Sequence, residues 1–164
     1  MRLDRTFDAV FVHDAIDYMT TEEDLRRALT TAFVHLAPGG TAVVVPDATR
    51  ETFESDHGAG GSDGDDGRSV RFLEWTTDPD PNGTEAVTEY AFLLRHADGA
   101  VQVVHETHRT GLFPRATWFG VFAEIGVECS GSRRRRTRTV PAATCSLRTN
   151  PRPGRDGWPE DPTA

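Results

Sequence analysis

Phe7 to Asp47 reads FDAVFVHDAIDYMTTEEDLRRALTTAFVHLAPGGTAVVVPD, and this stretch decides the fold. Its first apolar run, Ala9 to Val12, is continuous and rich in β-branched and aromatic residues, the composition of a strand buried on both faces. Polar residues begin abruptly at His13 and continue as Asp14-Ala15-Ile16-Asp17-Tyr18. Thr20 and Glu23 stand at capping-box spacing, and Glu22, Glu23 and Asp24 suit the positive end of a helix. Leu25, Leu29, Ala32, Phe33 and Leu36 then fall on one helical face. Pro38 and the Gly39-Gly40 pair stop the helix and turn the chain into a second apolar strand, Thr41 to Val45. Strand, crossover helix and strand make a βαβ unit, whose ligands sit at the carboxyl ends of its parallel strands. That end is His13 to Tyr18.

The 164 residues around this unit suffice for one domain with a core and hardly for two. A formal net charge of −8 argues against general affinity for nucleic acid or an anionic membrane surface. Cys129 and Cys145 lie far apart in sequence, without a CxxC pair or Cys/His ligand spacing. No metal site is expected from them, and both read as incidental thiols. No apolar run approaches the roughly 18 residues of a membrane span, and no basic region followed by an apolar segment opens the chain. A soluble, cytoplasmic protein is the expectation.

Beyond the βαβ unit, SDHGAGGSDGDDGR at Ser55 to Arg68 has almost no apolar content and reads as a flexible surface loop. Its Asp63-x-Asp65-Asp66-Gly67 is superficially like a calcium loop, but the twelfth position, Glu74, falls inside the next strand pattern, which favours a solvated loop. Three strand-like runs follow within 69–110: Val70 to Trp75, Ala86 to Arg95 and Val101 to Arg109. The turn residues between them predict an antiparallel meander. In the second run the face with Tyr90, Phe92 and Leu94 is the more apolar. In the third, Gln102, Val104, Glu106 and His108 share a face. A helix from Arg115 to Ile125 then presents Trp118, Phe119, Phe122 and Ile125, with Gly126 as its stop.

The pattern changes at Ser132. From there the chain holds eight Arg against three acidic residues, many prolines and no hydrophobic periodicity. Residues 1–131 read as the domain and 132–164 as a disordered Arg/Pro-rich tail. Three readings of the tail stand side by side: a basic arm for a polyanion, a tail without a role, and a segment translated out of an ancestral frame.

With these elements placed, the chain from Leu3 to Val127 resembles the C-terminal half of a class I S-adenosylmethionine-dependent methyltransferase. The local similarity is to the small-molecule branch that includes N-methyltransferases of deoxyamino sugars. It is carried by FDAVFVHDAIDYM, by LAPGGTAVVVPD and by HETHRTGLFPRATWFGVFAEIGV, in that order. LxPGG alone is common across the superfamily; the ordered combination is far more specific. The resemblance implies an α/β fold, a partial Rossmann-like βαβ sheet with an antiparallel three-stranded insert.

For function, the resemblance implies S-adenosylmethionine as cofactor and a small-molecule methyl acceptor, with no nucleic acid and no membrane as partner. It places His13, Asp14 and Tyr18 beside the methionine end of the cofactor, although Tyr18 and Ile16 serve equally well to pack the helix start. His108, in Glu106-Thr107-His108-Arg109, matches a histidine that faces the substrate amine and becomes the candidate catalytic residue. An imidazole titrates near physiological pH and suits orienting or deprotonating an amine; a surface histidine on a strand is the competing reading. Trp75, Tyr90 and Glu106 are the candidate lining of an acceptor pocket, or a plain cover for the sheet.

The chain also departs from the family pattern. It has no opening strand with a DxGxGxG turn and no later acidic residue for the ribose. The stretch Gly58 to Gly67 follows the fifth strand of the family order and does not replace them. Met1 is then expected to be an internal methionine taken as a start, and Ser132 onward offers no closing hairpin. A chain of this kind is expected to bind S-adenosylmethionine weakly or not at all alone. Its exposed edges call for a homodimer or a complementing chain, and a non-enzymatic remnant or accessory subunit is the alternative to a methyltransferase.

Overall fold

The computed structural model of the chain describes residues 2–131 and 143–146. Its elements are β1 (Phe7–His13), a 3-10 turn (Ala15–Tyr18), α1 (Glu22–Val34), β2 (Leu36–Val45), β3 (Asp56–Asp63), β4 (Ser69–Thr77), β5 (Glu85–Arg95), β6 (Val101–Gly111), α2 (Arg115–Glu124), β7 (Glu128–Gly131) and β8 (Ala143–Ser146). They form two four-stranded sheets, ordered β1-β2-β8-β7 and β3-β4-β5-β6.

The βαβ unit is present, with β1 and β2 parallel and Ala9 to His13 facing Thr41 to Val45 in register. The helix starts one residue later than the capping-box spacing predicts. Thr21, not Thr20, accepts the Asp24 amide at 3.1 Å. The Thr20 carbonyl is engaged elsewhere, by the Thr84 hydroxyl at 2.8 Å. Leu36 belongs to β2, and the helix buries Leu25 and Leu29. Burial of the first strand on both faces does not hold either. β1 is an edge among the described strands, and Phe11 is 69% exposed. Nothing in the described residues covers its outer side.

The core lies between the first sheet and the two helices. Ile16, Leu25, Leu29, Val44 and Phe113 pack there with Trp118, Val121 and Phe122. The α2 stripe is therefore Trp118, Val121, Phe122 and Ile125, while Phe119 faces outward. Arg26 and Glu124 join the two helices at 2.7 Å on the surface.

The insert has four strands, not three. The segment expected to be a flexible loop supplies β3, paired with β4 from Asp56↔Thr76 to Asp63↔Ser69. The glycines that made it read as a loop have a packing reason. A Cβ at Gly60 would stand 2.6 Å from the Phe72 ring, and one at Gly58 would meet the Glu74 carboxylate. Small residues there let the longer side chains of β4 fold across. Two of the loop aspartates are also occupied by arginines, Asp63 with Arg71 at 2.9 Å and Asp66 with Arg68 at 2.6 Å, which counts against the calcium-like pattern.

Strands after α2 depart from expectation as well. β7 and β8 pair antiparallel, and β8 pairs with β2 from Thr41↔Ser146 to Val44↔Ala143, so Ala143–Ser146 extends the first sheet. The backbone register sets Cys129 opposite Cys145, although sequence separates them widely. The Arg133 to Arg138 block lies outside the described residues.

Four contacts dock the meander onto the βαβ unit. Besides the Thr84 to Thr20 bond, Arg50 reaches Asp78 at 2.7 Å and the Pro81 carbonyl at 2.9 Å. Tyr18 meets His108 at 3.1 Å. The end of β6 presses on the residue after the 3-10 turn, where a Cβ at Gly111 would collide with the Met19 carbonyl and stand 2.7 Å from the Phe113 ring. Gly111→Ala is therefore expected to lower stability by roughly 1–3 kcal/mol through overpacking. Urea denaturation checks this, and an unchanged midpoint would show that the docking is loose.

Candidate functional site

Both parallel strands point their carboxyl ends at the docked meander, and a cavity of about 840 Å³ lies between the two sheets. Asp14, Asp17 and Tyr18 enter from the loop after β1, and Asp47 from the end of β2. Glu74 of β4, Tyr90 of β5 and His108 of β6 face them from the meander. Alternation along the strands explains this. Even-numbered residues of β4, β5 and β6 turn inward, and Thr88 stands opposite His108 in the register.

The loop after β1 is held in an uncommon shape. Asp14 has φ 53°, the one positive value outside glycine among the described residues, and its carbonyl accepts the Asp17 amide at 2.9 Å. This geometry reverses the chain immediately past the strand and tucks Ile16 and Asp17 inward, while Tyr18 swings toward β6. The Tyr18 hydroxyl lies 3.1 Å from His108 Nδ1, and His108 Nε2 lies 3.4 Å from Glu106. Tyr90 meets the His108 ring edge-on with centroids 5.1 Å apart and stacks on Phe92. A hydroxyl, a carboxylate and an aromatic wall thus fix the imidazole.

The residues singled out from sequence divide. Asp14, Tyr18, Tyr90 and His108 line the cavity, and Glu106 stands behind His108. His13 sits at the rim with Nδ1 2.6 Å from Asp14, its ring stacked on Phe11. Trp75 is not brought to the cavity: it occupies an odd position of β4, on the outer face of the meander, and is 70% exposed.

Sequence reading missed Asp17, Asp47 and Glu74. A signal existed for Asp47, the first acidic residue past the second parallel strand. None existed for Glu74, which enters through the register of a strand pair. His13, Asp14 and Asp47 also bring one ligand atom each within 4.8 Å of one another, an arrangement invisible to Cys/His spacing rules.

No protein-family model and no curated protein matches the chain. Among solved structures it is similar to DesVI of Streptomyces venezuelae, with a TM-score of 0.76, 24% identity, and coverage of 91% of this chain and 61% of that one. It is similar to the amino pentose methyltransferase CalS10 of Micromonospora echinaspora, bound to S-adenosylmethionine, at TM-score 0.73, 26% identity and the same coverage of 91% and 61%. The sugar N-methyltransferase KedS8 of a Streptoalloteichus species gives 0.75 and 25% identity over 91% of this chain and 59% of that one. The chain has the fold of part of an S-adenosylmethionine-dependent methyltransferase. It spans less than two thirds of the length of these structures.

Within that methyltransferase fold the cavity is acidic. Among the described residues, six carboxyl side chains line it and no arginine does. Asp17 is the deepest of them, 5% exposed, with both carboxylate oxygens 3.2 Å from the Asp47 amide. Burial first, and the facing Asp47 carboxylate second, push Asp17 up from the ordinary aspartate value to about 7. Tyr90 is likewise raised, by burial and then by Glu74.

A raised carboxyl makes stability depend on pH with a definite sign. Between the ordinary aspartate value of 3.8 and about 7 the unfolded chain has released the proton that the native chain keeps. The contribution of Asp17 is full below that window and is lost as pH rises through it. Asp17→Asn, which keeps an acceptor for the Asp47 amide, is expected to leave stability nearly unchanged at about pH 4 and to raise it by roughly 1–3 kcal/mol at about pH 8. Thermal unfolding at the two pH values decides, and an equal loss at both would contradict the assignment.

Proposed function

We propose that the chain supplies the carboxyl-end half of the cofactor site and the acceptor-facing side of an S-adenosylmethionine-dependent methyltransferase. Its acceptor is a small molecule bearing an amine, and its location is the cytoplasm. The observation that carries this reading is the Tyr18 to His108 contact at 3.1 Å across an acidic cavity at the ends of parallel strands. The likeness to CalS10 and KedS8 supports it.

The residues fit the proposed cofactor. Bound S-adenosylmethionine supplies a methyl group on an already cationic sulfonium, and an acid-rich cavity favours cations. The protein's task is then alignment and control of the acceptor's proton. Asp14 and Tyr18 bound the cofactor end of the cavity, with His13 beside them at its mouth. His108, oriented by Tyr18 and Glu106, holds or removes the amine proton from the opposite wall, and Tyr90 closes that wall.

The chain lacks the glycine-rich strand-to-helix turn of a full cofactor site. Its nearest approach, Asp56-His57-Gly58-Ala59-Gly60-Gly61, lies within the strand β3, paired antiparallel with β4, and not in a turn between a strand and a helix. Weak cofactor binding by this chain alone is therefore part of the proposal. NMR titration of the labelled chain with S-adenosylmethionine should perturb amides in His13 to Tyr18 and around His108, with an affinity weaker than micromolar. Perturbations confined elsewhere would sink the proposed site, and micromolar affinity would sink the proposed incompleteness.

A second reading, an accessory subunit that pairs with another chain, is favoured by the uncovered β1 edge and its exposed Phe11. We assign a different surface to a second copy of the chain. Leu73, Trp75, Leu93, Val101 and Val103 share the outer face of the meander with Arg71, Glu89 and Arg95, and all five are exposed. Large exposed apolar side chains flanked by opposite charges suit a self-complementary contact between two copies. Trp75→Glu should convert a sedimenting dimer into a folded monomer; a monomeric wild-type chain would rule this interface out.

A further inference from the structure

The inner face of the meander changes character with distance from the βαβ unit. On β5 and β6 its successive cross-strand neighbours are Thr88 and His108, then Tyr90 and Glu106, then Phe92 and Val104. Each pair lies two residues further along the strands, about 7 Å beyond the last. The first pair belongs to the polar end that lines the cavity, and Tyr90 stands where the cavity ends. Past it the face is aromatic. Tyr90 stacks on Phe92 with centroids 5.4 Å apart, and Phe72, the partner of Phe92 on β4, meets these two rings at 6.4 and 6.1 Å.

All three rings are half-buried, and none of them joins the core between the first sheet and the helices. The neighbouring strand adds no cover. β3 has glycine at both inner positions beside them, Gly60 opposite Phe72 and Gly58 opposite Glu74. Three aromatic side chains kept partly in water forgo apolar burial that a ligand laid across them would supply. Their planes stand at 17°, 48° and 64° to one another, so a further ring meets both faces and edges. Those are the two arrangements that aromatic pairs favour.

We propose that Phe72, Tyr90 and Phe92 form a subsite for a planar unsaturated ring carried by the acceptor, one pair of residues further out than the amine that His108 faces. The inference rests on the reading of the cavity as the acceptor side of a methyltransferase site, and it narrows the acceptor to an amine that bears a flat ring. The gradient along the meander sets the orientation, with the amine inward at the polar end and the ring outward. Tyr90 links the two parts, as wall of the cavity and first ring of the subsite. No bond is made or broken there. Holding the ring fixes how far the amine reaches toward His108, and so contributes to alignment.

Phenylbutylamine and cyclohexylbutylamine test this, since they share the amine and the spacer and differ in the planarity of the ring. Titrated into the full chain with NMR detection, phenylbutylamine is expected to shift the ring signals of Phe72, Tyr90 and Phe92 together with those of His108. It should bind about three- to tenfold tighter than cyclohexylbutylamine. Burial alone gives no such preference, because the saturated ring is the more apolar of the two. Phe92→Leu, which keeps an apolar side chain on β5, should remove the preference and leave the affinity for butylamine unchanged. Phe72→Leu, on a different strand, is expected to do the same. Equal affinities for the two rings, a preference that survives in both variants, or ring shifts confined to Trp75 on the outer face each overturn the inference. S-adenosylmethionine titrated into parallel samples keeps the two readings apart. Cofactor shifts at His13 to Tyr18 with no preference between the rings sink only the subsite, and a ring preference at Phe72 and Phe92 without cofactor shifts upholds the subsite and sinks the methyltransferase reading.

Discussion

The docking of the 3-10 turn against the end of β6 is the contact on which the rest depends. Two sheets that share no strand enclose a common cavity because Gly111 admits the Met19 carbonyl and Tyr18 reaches His108 at 3.1 Å. The turn can sit there because Asp14 accepts a positive φ and reverses the chain directly after β1. Arg50 secures the opposite side by bonding Asp78 and the Pro81 carbonyl, which fixes the β4 to β5 turn against the loop after β2. Each contact is modest alone. Together they set the distance between the βαβ ends and the meander.

That distance has an electrostatic consequence. Bringing the ends of β1 and β2 close to the inner face of the meander gathers carboxylates from both sheets around one space. A protein keeps such a set only by protonating some members, by pairing them or by binding cations. Arginines take the pairing role on the outside of the meander, at Asp63, Asp66 and Glu85. The inner acids make the cavity negative, and burial pushes the Asp17 carboxyl up to about 7.

Much of this was legible in the sequence. The abrupt passage from Val12 to His13, the acid-rich helix start and the LAPGG turn predict the βαβ unit and locate its ligand end. Strand alternation likewise marks the face with Tyr90, Phe92 and Leu94 as the more apolar one, and in the structure it is the inner face of the meander. Other features were hidden for physical reasons. β3 read as a loop because its glycines answer to Phe72 and Glu74 on a neighbouring strand, a relation that composition does not display. β8 was hidden because a four-residue strand paired to β2 carries no periodicity of its own. Trp75 was placed in the pocket by its residue type, whereas its parity along β4 sends it outward. Asp17 stood in plain view, but its burial arises from the tertiary fold.

The central claim is that the space bounded by Tyr18, His108 and the buried Asp17 is a methyl-transfer site. A crystal structure of the chain grown with saturating S-adenosylhomocysteine tests it most directly. The account predicts that the ligand's amino-acid end lies against His13 to Tyr18 with its sulfur directed toward the His108 wall. A ligand seated on the outer face of the meander, or one whose sulfur points away from His108, would contradict it.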